Sequence, residues 1–224
     1  MSTSLILVCL LIAGAGAYAL ASSRALALSG GRLASLHSRP GYYGAYAAIA
    51  AMLPAVLVLA LWLIASPMII ESSVRGGFPQ DAQAQSQAQQ NLNYGMVSAI
   101  ARGLPLLSAG DMADVTADAA VLRDRLAVKG VALAGDAAPW MIDSAKTLNE
   151  KTAASRLWMS LSVFVLALAG AAYGLRAVAP RFRARNSVER VILGSLIAAS
   201  SIAILTTVGI VLSMLTEALH FFHS

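Results

Sequence analysis

Four long stretches without charged residues constrain this chain more than any other feature. The windows are Ser2–Ala21, Ala45–Ile70, Leu157–Arg176 and Val191–Leu215, and Arg176, at one boundary, is the only Lys, Arg, Asp, Glu or His in them. A helix needs about 20 apolar residues to cross the hydrocarbon core of a bilayer, and each charge at its centre costs about 2.5–3.5 kcal/mol. Only 12% of the residues are charged, about half the usual share of a soluble domain. The sequence therefore predicts an all-α polytopic membrane protein with four transmembrane helices.

The first window also has one feature of a cleavable signal peptide. Ala19-Leu20-Ala21 offers a small-x-small cleavage site, which keeps cleavage open as an alternative. However, no Lys or Arg precedes the apolar run, whereas Arg24 and Arg32 follow it. A signal peptide has the opposite polarity. We therefore expect a retained helix whose N-terminus faces outward.

The charges of the connecting segments predict the topology. The segment 22–44 carries three arginines and no acid, and the segment 177–190 carries four arginines against one glutamate. Short basic loops stay in the cytoplasm. The long segment 71–156 has eight basic and nine acidic residues, so its charge is balanced and does not oppose export. The net charge of +5 is thus a topology signal, with contact to anionic lipid as a further use and no nucleic acid implied.

The long segment is predicted to be a helical extracytoplasmic domain. After the breaker Gly76-Gly77-Phe78-Pro79 and an Ala/Gln-rich tract, two apolar stripes with spacings of three and four follow. Their members are Tyr94, Val97, Ala101 and Leu104 in the first stripe, and Met112, Val115, Ala119, Leu122 and Leu126 in the second. Asp111 is the expected N-cap of the second helix and Gly130 its end. Pro139 suits the start of a third helix that continues into the membrane.

These predictions define three parts of the chain. They are an N-terminal membrane hairpin at 1–70 (helices about 2–21 and 45–70, cytoplasmic loop 22–44), a helical periplasmic domain at 71–156, and a second membrane hairpin at 157–224 (helices about 157–176 and 191–215). No alternating apolar pattern predicts a sheet.

Residues that commonly carry chemistry are few. Cys9 is the single cysteine and lies inside the first apolar window, so no intramolecular disulfide is possible. His220 and His223 are three residues apart and form a conceivable metal pair, whereas His37 lies in another boundary region. We interpret all three as interfacial histidines. No catalytic, cofactor-binding or metal-binding residue is assigned, and no cofactor is expected.

Glycine patterns in the apolar windows indicate helix packing. Gly14-Ala15-Gly16-Ala17-Tyr18-Ala19 fits G-x-G-x-x-A, but the dinucleotide fingerprint also requires a strand and an acid about 20 residues later. The first acid in this chain is Glu71. We therefore interpret these glycines, and the GxxxG pair Gly170 and Gly174, as positions without a side chain where another helix can approach closely.

Parts of the chain near its two ends resemble a known family. Residues 26–44 (LALSGGRLASLHSRPGYYG) look like the cytoplasmic loop in the N-terminal extension of some bacterial phosphate ABC transporter permeases of the PstC type. Residues 182–190 (FRARNSVER), followed by 202–213 (IAILTTVGIVLS), are similar to the start of the permease core. The resemblance covers most of the chain, but the segment between Gly76 and Arg156 resembles the family only in its general character.

The resemblance implies a function and a set of partners. The chain would be the N-terminal part of the membrane permease subunit of an ATP-driven phosphate importer, multi-pass in the bacterial inner membrane with its N-terminus in the periplasm. It would not itself be an enzyme, because ATP hydrolysis belongs to a separate subunit. Its partners would be a second permease subunit, the ATP-binding subunit, a periplasmic phosphate-binding protein and the lipid membrane.

The fourth helix would be the first helix of the permease core. The other core helices, the substrate path and the coupling loop are not among these 224 residues, so the chain alone is expected to be incompetent for transport. No substrate-binding residue is carried over.

Two other classes of protein share the predicted architecture of membrane helices with a helical periplasmic domain. A membrane sensor input module also brackets a helical periplasmic domain with two membrane helices, although no output domain or linker heptad is present in this chain. An accessory membrane subunit that only scaffolds partners is the other alternative. A neighbouring gene for an ATPase or a phosphate-binding protein would separate these interpretations.

The topology can be tested with reporter fusions. We expect a reporter that is active only after export to work at Gln85 and to fail at Arg32 and Arg183, because the short basic loops stay in the cytoplasm. An active exported reporter at Arg32 would contradict the predicted orientation.

Overall fold

A computed structural model describes residues 2–29, 38–108, 121–179 and 182–223 of the chain. Within these ranges the secondary structure consists of seven α-helices and one short 3-10 helix, without a strand. The predicted all-α fold is confirmed. Asp111, Met112, Val115 and Ala119 lie outside the described residues, as does His37.

Four helices are long and apolar enough to cross a membrane, which confirms the four predicted membrane helices. We name them α1 (Thr3–Leu28), α2 (Pro40–Arg75), α6 (Pro139–Arg176) and α7 (Ala184–His223). All four extend beyond the charge-free windows. Charged residues mark where the hydrocarbon ends, whereas a helix continues until its backbone meets a breaker or a cap.

The structure shows what ends these helices. Pro40 is the first residue of α2, a position where its missing N–H costs no hydrogen bond. Gly76 and Gly77 follow its last residue, Arg75. Pro54 lies inside α2 and does not end it. Pro139 begins α6, which runs without a break to Arg176, as the sequence predicted.

The described residues divide into two compact units. One comprises Met1–Thr3 and Val56–Val163, and the other comprises Ser4–Ala55 and Phe164–Ser224. Helices α2 and α6 contribute residues to both units. We call the first the polar-segment unit and the second the membrane unit, and each is described by itself.

Short helices of the polar-segment unit connect α2 to α6 along the chain. They are α3 (Gln80–Gln83), α4 (Gln87–Gly103), a 3-10 helix (Leu104–Leu106) and α5 (Val121–Val128). The Ser86 side chain caps α4 by accepting a hydrogen bond from the Gln89 N–H at 3.4 Å. The Gln83 amide donates to the carbonyls of Gly76 and Phe78, which ties α3 back to the end of α2.

Gly130 ends α5, as the sequence predicted. Its φ of +80° is in the left-handed region that favours glycine. The N–H of Val131 donates to the Leu126 carbonyl at 2.9 Å, and the N–H of Gly130 donates to the Ala127 carbonyl at 3.0 Å. This pair of hydrogen bonds is a Schellman motif, which satisfies carbonyls that the helix end leaves open.

Most of the described members of the two predicted apolar stripes lie in the core of this unit. Val97, Leu122 and Leu126 are fully buried, and Ala101 and Leu104 are buried beside them. Phe78 packs on Trp140 with ring centroids 5.0 Å apart, which joins the start of α6 to the same core. The helical structure of this segment is thus described, while its status as a separate extracytoplasmic domain stays a prediction.

Small residues dominate the packing of the membrane unit. The buried side chains of α1 and α2 recur every three or four residues and are mostly alanine; they include Ala17, Ala21, Ala25, Ala47 and Ala51. The lipid tails are as apolar as leucine, so membrane helices associate through close packing rather than through the hydrophobic effect.

Glycines bring α6 directly onto α2 in the membrane unit. A Cβ on Gly170 would overlap the Ala50 carbonyl, and one on Gly174 would lie 2.6 Å from the Cα of Ala47. A Cβ on Gly14 would overlap the Met52 side chain, whereas Gly16 faces open space. The structure therefore confirms the packing interpretation for Gly14, Gly170 and Gly174, but not for Gly16.

Helix α7 has few contacts with the rest of the chain. Ala184 and Val188 at its start are buried, but every residue from Ile192 to Phe221 is exposed. The hydroxyls of Ser201, Thr206 and Thr207 donate to carbonyls four residues earlier in the same helix. The hydrogen-bond donors of these hydroxyls are thus paired within the helix and need no polar partner on another helix.

The core of the polar-segment unit can be tested at Leu122. Leu122→Asp would place an uncompensated charge at a fully buried site and should cost about 3 kcal/mol or more of unfolding free energy. Arg123→Ala is the matched control. Arg123 is half exposed and forms a 3.3 Å ion pair with the exposed Asp136, so its loss should cost less than about 0.5 kcal/mol. Equal thermal stability of the two purified variants would show that the stripe is not packed.

Candidate functional site

A cavity of about 640 Å³ lies in the polar-segment unit between α2, α4 and α6, and Ser2 and Thr3 also line it. Its size is within the range of small-molecule sites. Helix α2 contributes the segment around Trp62 and Ser66, which belongs to the second charge-free window. Helix α6 contributes residues from Leu148 to Met159, around the start of the third window at Leu157. The cavity is thus built where the apolar parts of two membrane helices give way to polar sequence.

Helical spacing places the polar lining on two faces. On α4, the lining residues Tyr94, Ser98 and Arg102 recur at steps of four. On α6, Asn149, Thr152 and Arg156 recur at steps of three and four. Residues at these spacings share one side of a helix, so each helix presents one row of donors to the cavity.

Hydrogen bonds hold α6 against α2 and α4 at this point. The Trp62 indole N–H donates to Ser155 Oγ at 3.0 Å, and the hydroxyls of Ser66 and Ser155 are 2.6 Å apart. The Asn149 amide donates to the Ala101 carbonyl at 2.8 Å. Lys151 Nζ also donates to the hydroxyl of Ser73 on α2. Polar contacts between part-buried or exposed side chains therefore hold the three helices of the cavity wall together.

The cavity is positively charged. Arg102 and Arg156 line it, and no Asp, Glu or His does. Among the described acids, none forms an ion pair with either arginine. Arg75, by contrast, is engaged: it bonds Glu71 at 2.6 Å and Asn91 at 3.0 Å, and lies 4.9 Å from the centre of the Tyr94 ring. The two lining arginines are solvent-exposed, and they bring to the cavity two positive charges that no described acid neutralises.

Tyr94 is a neutral donor in this lining. Burial raises the pKa of its phenol, the negative charge of Glu71 raises it further, and Arg75 partly opposes the shift. The ordinary value is already about 10, so the phenol keeps its proton at physiological pH. Its O–H is therefore available as a hydrogen-bond donor.

An apolar groove of about 430 Å³ lies beside the cavity on α2. Its walls are mainly aliphatic and come from Val58, Leu61, Ala65 and Ile69. The cavity and the groove share Trp62, Ser66, Ile70 and Ser155. A cavity lined by two arginines and an apolar groove therefore share a wall.

The residues singled out from the sequence lie elsewhere. Cys9 is a free, half-buried thiol on α1, and His220 and His223 lie at the end of α7. Within the described ranges, no group of three or more His, Cys, Asp or Glu is placed to hold a metal ion. None of these residues lines the cavity.

The cavity with its two arginines was not predicted from the sequence. One available signal was Arg156, a lone charge directly before an apolar window, with Ser155 beside it. A second was the helical spacing of Ser98 and Arg102. Neither pattern shows which helices meet, because the pairing of α2, α4 and α6 joins residues up to about 90 positions apart.

Comparison with known families gives a match over most of the chain. The family described as phosphate ATP-binding cassette transporter matches residues 7–172, about three quarters of the sequence. The chain belongs to this family. It is a multi-pass membrane protein of the phosphate ATP-binding cassette transporter family, and it is related to transporters rather than to enzymes.

Helix α7 lies outside the part of the chain that matches the family. The matched region begins inside α1, at residue 7, and includes α2 and the part of the polar-segment unit from Val56 to Val163. It ends at residue 172, before α7 begins at Ala184. Residues 26–44, which resemble the permease loop, lie inside it, whereas 182–190 and 202–213 lie beyond it. Comparisons with curated proteins and with solved structures found no match.

Proposed function

We propose that this chain is the N-terminal part of the membrane permease subunit of an ATP-driven phosphate importer of the PstC type. The observation that carries the proposal is the family match over residues 7–172. The loop 26–44 inside that match and the stretches 182–190 and 202–213 beyond it support a permease in particular, since they resemble that subunit.

The proposed arrangement follows from the loop charges. Residues 1–70 and 157–224 form two hairpins in the bacterial inner membrane. Residues 71–156 form a helical periplasmic domain between them, and the N-terminus is also periplasmic. The arginine-rich segments at 22–44 and 177–190 support this orientation, because basic loops are retained in the cytoplasm.

Helix α7 is proposed to be the first helix of the permease core. Its exposed apolar surface from Ile192 to Phe221 supports this role, because such a surface is available to other membrane helices of an assembly. The contacts would be apolar, since the hydroxyls of Ser201, Thr206 and Thr207 already bond within the helix.

The partners in this proposal are a second permease subunit, a separate ATP-binding subunit and a periplasmic phosphate-binding protein. Phosphate transport would need core helices beyond the four described here, so the chain by itself is proposed to be incompetent for transport. No residue is assigned to phosphate contact.

One observation favours the sensor input module as a second candidate. Helix α6 runs for 38 residues from the polar segment to the far end of its apolar window. A continuous helix of this kind can transmit a displacement from an outer segment across a membrane. The family match to a transporter favours the permease proposal over this candidate.

Phosphate uptake provides the test. Radiolabelled phosphate is supplied to cells that lack their own high-affinity transporter and express either this chain alone or this chain with the remaining permease, ATPase and binding-protein components. We expect background uptake from the chain alone and uptake above background from the full set, abolished by an ATPase subunit that cannot hydrolyse ATP.

Two results would contradict the proposal. Uptake above background by the chain alone would overturn its incompetence for transport. Uptake by the full set that is indifferent to removal of this chain would overturn its assignment to the permease and favour the sensor or scaffold alternatives.

A further inference from the structure

We propose that the cavity and the apolar groove of the polar-segment unit form one site for an anionic phospholipid. The phosphate of the headgroup would lie between Arg102 and Arg156, and an acyl chain would lie along α2 in the groove. This inference stands on the geometry of one unit and does not depend on the transport proposal.

The charge of the cavity selects an anion. Two arginines line it, no acidic side chain does, and no described acid pairs with either arginine. Guanidinium groups present several N–H donors in a planar fork that matches a phosphate, and they remain protonated throughout the physiological range. Two arginines with which no described acid pairs are therefore a favourable position for a phosphate group.

The neutral lining adds hydrogen-bond donors. Ser98 and Thr152 contribute hydroxyls, and Tyr94 keeps its phenolic proton because burial and Glu71 raise its pKa. Such groups bond the oxygens of a phosphodiester or of a glycerol headgroup equally well.

The groove distinguishes a lipid from a soluble anion. Val58, Leu61, Ala65 and Ile69 form an apolar channel that a free phosphate would leave empty. This channel joins the cavity through the shared residues Trp62 and Ser66. A molecule with an anionic head and a hydrocarbon tail uses both spaces at once, so it fits the whole site.

The position along the helices agrees with a lipid. Trp62 and Ser66 lie within the charge-free window of α2, and Arg156 directly precedes that of α6. Tryptophan and arginine near the ends of apolar windows lie at the level of the headgroups, where anionic lipids attract basic side chains. The site would thus be at the depth where phospholipid phosphates are found.

Trp62 offers a direct reporter, because it lines both spaces and is one of three tryptophans in the chain. The full chain carrying Trp140→Phe and Trp158→Phe is placed in nanodiscs of phosphatidylcholine with a small fraction of brominated phosphatidylglycerol, or of brominated phosphatidylcholine as the neutral comparison. Bromine quenches tryptophan fluorescence on contact. We expect brominated phosphatidylglycerol to quench Trp62 at a mole fraction at least about fivefold lower than brominated phosphatidylcholine.

Charge variants then test the headgroup contact. Arg102→Gln and Arg156→Gln should each weaken the preference for phosphatidylglycerol about fivefold, as expected for one basic side chain near an anionic surface. Arg123→Gln is the matched control. It removes the same charge from the same unit but lies outside the cavity, so the preference should not change.

Filling the groove tests the acyl chain separately. Ala65→Leu narrows the groove without touching either arginine and should reduce quenching by brominated phosphatidylglycerol. Equal quenching by the two brominated lipids in the parent protein would overturn the proposal. An unchanged preference in both arginine variants would do the same.

Inorganic phosphate separates the two sources of the anion. We expect millimolar phosphate to leave the quenching unchanged. Reversal of the quenching by inorganic phosphate, together with an insensitive Ala65→Leu variant, would show that the cavity holds a soluble anion and would contradict the lipid site. Phosphate uptake by the assembled transporter is a separate measurement, so failure of one proposal is distinguishable from failure of the other.

Discussion

The antiparallel contact between α2 and α6 is the interaction on which each part of the structure depends. In the membrane unit, Gly170 and Gly174 let the two backbones meet at Ala47 and Ala50, closer than any side chain would permit. In the polar-segment unit, Ser155 bonds Trp62 and Ser66. The close packing of the first contact contributes van der Waals attraction. The second contact pairs polar groups next to an apolar window, where a hydroxyl without a hydrogen-bond partner costs free energy.

The site of the polar-segment unit is a consequence of the second contact. Holding Ser155 against α2 places Arg156 beside the groove, and the bond from Asn149 to the Ala101 carbonyl brings Arg102 of α4 to the same cavity. Two cations from different helices thereby share one space. Both side chains are solvent-exposed, so an anion in the cavity can reach them.

Much of the fold was predictable because its signals are local. Charge-free windows reveal membrane helices, Gly130 permits the positive φ that ends a helix, and Pro139 suits a helix start. The GxxxG spacing of Gly170 and Gly174 likewise indicated close packing. The ends of the long helices were not predictable from charge, since a helix continues into the polar layer until a breaker follows. The cavity was hidden because its arginines are 54 positions apart and meet only through tertiary contacts.

Disulfide trapping tests the contact between α2 and α6 most directly. In a Cys9→Ser background, Ser66→Cys and Ser155→Cys replace hydroxyls that are 2.6 Å apart, so mild oxidation of the full chain in membranes should link them rapidly. The control pair replaces Ser66 and Ala154, whose exposed side chain points to another side of α6. We expect efficient cross-linking for the first pair and little for the second. Equal yields, or no cross-link between positions 66 and 155, would contradict it.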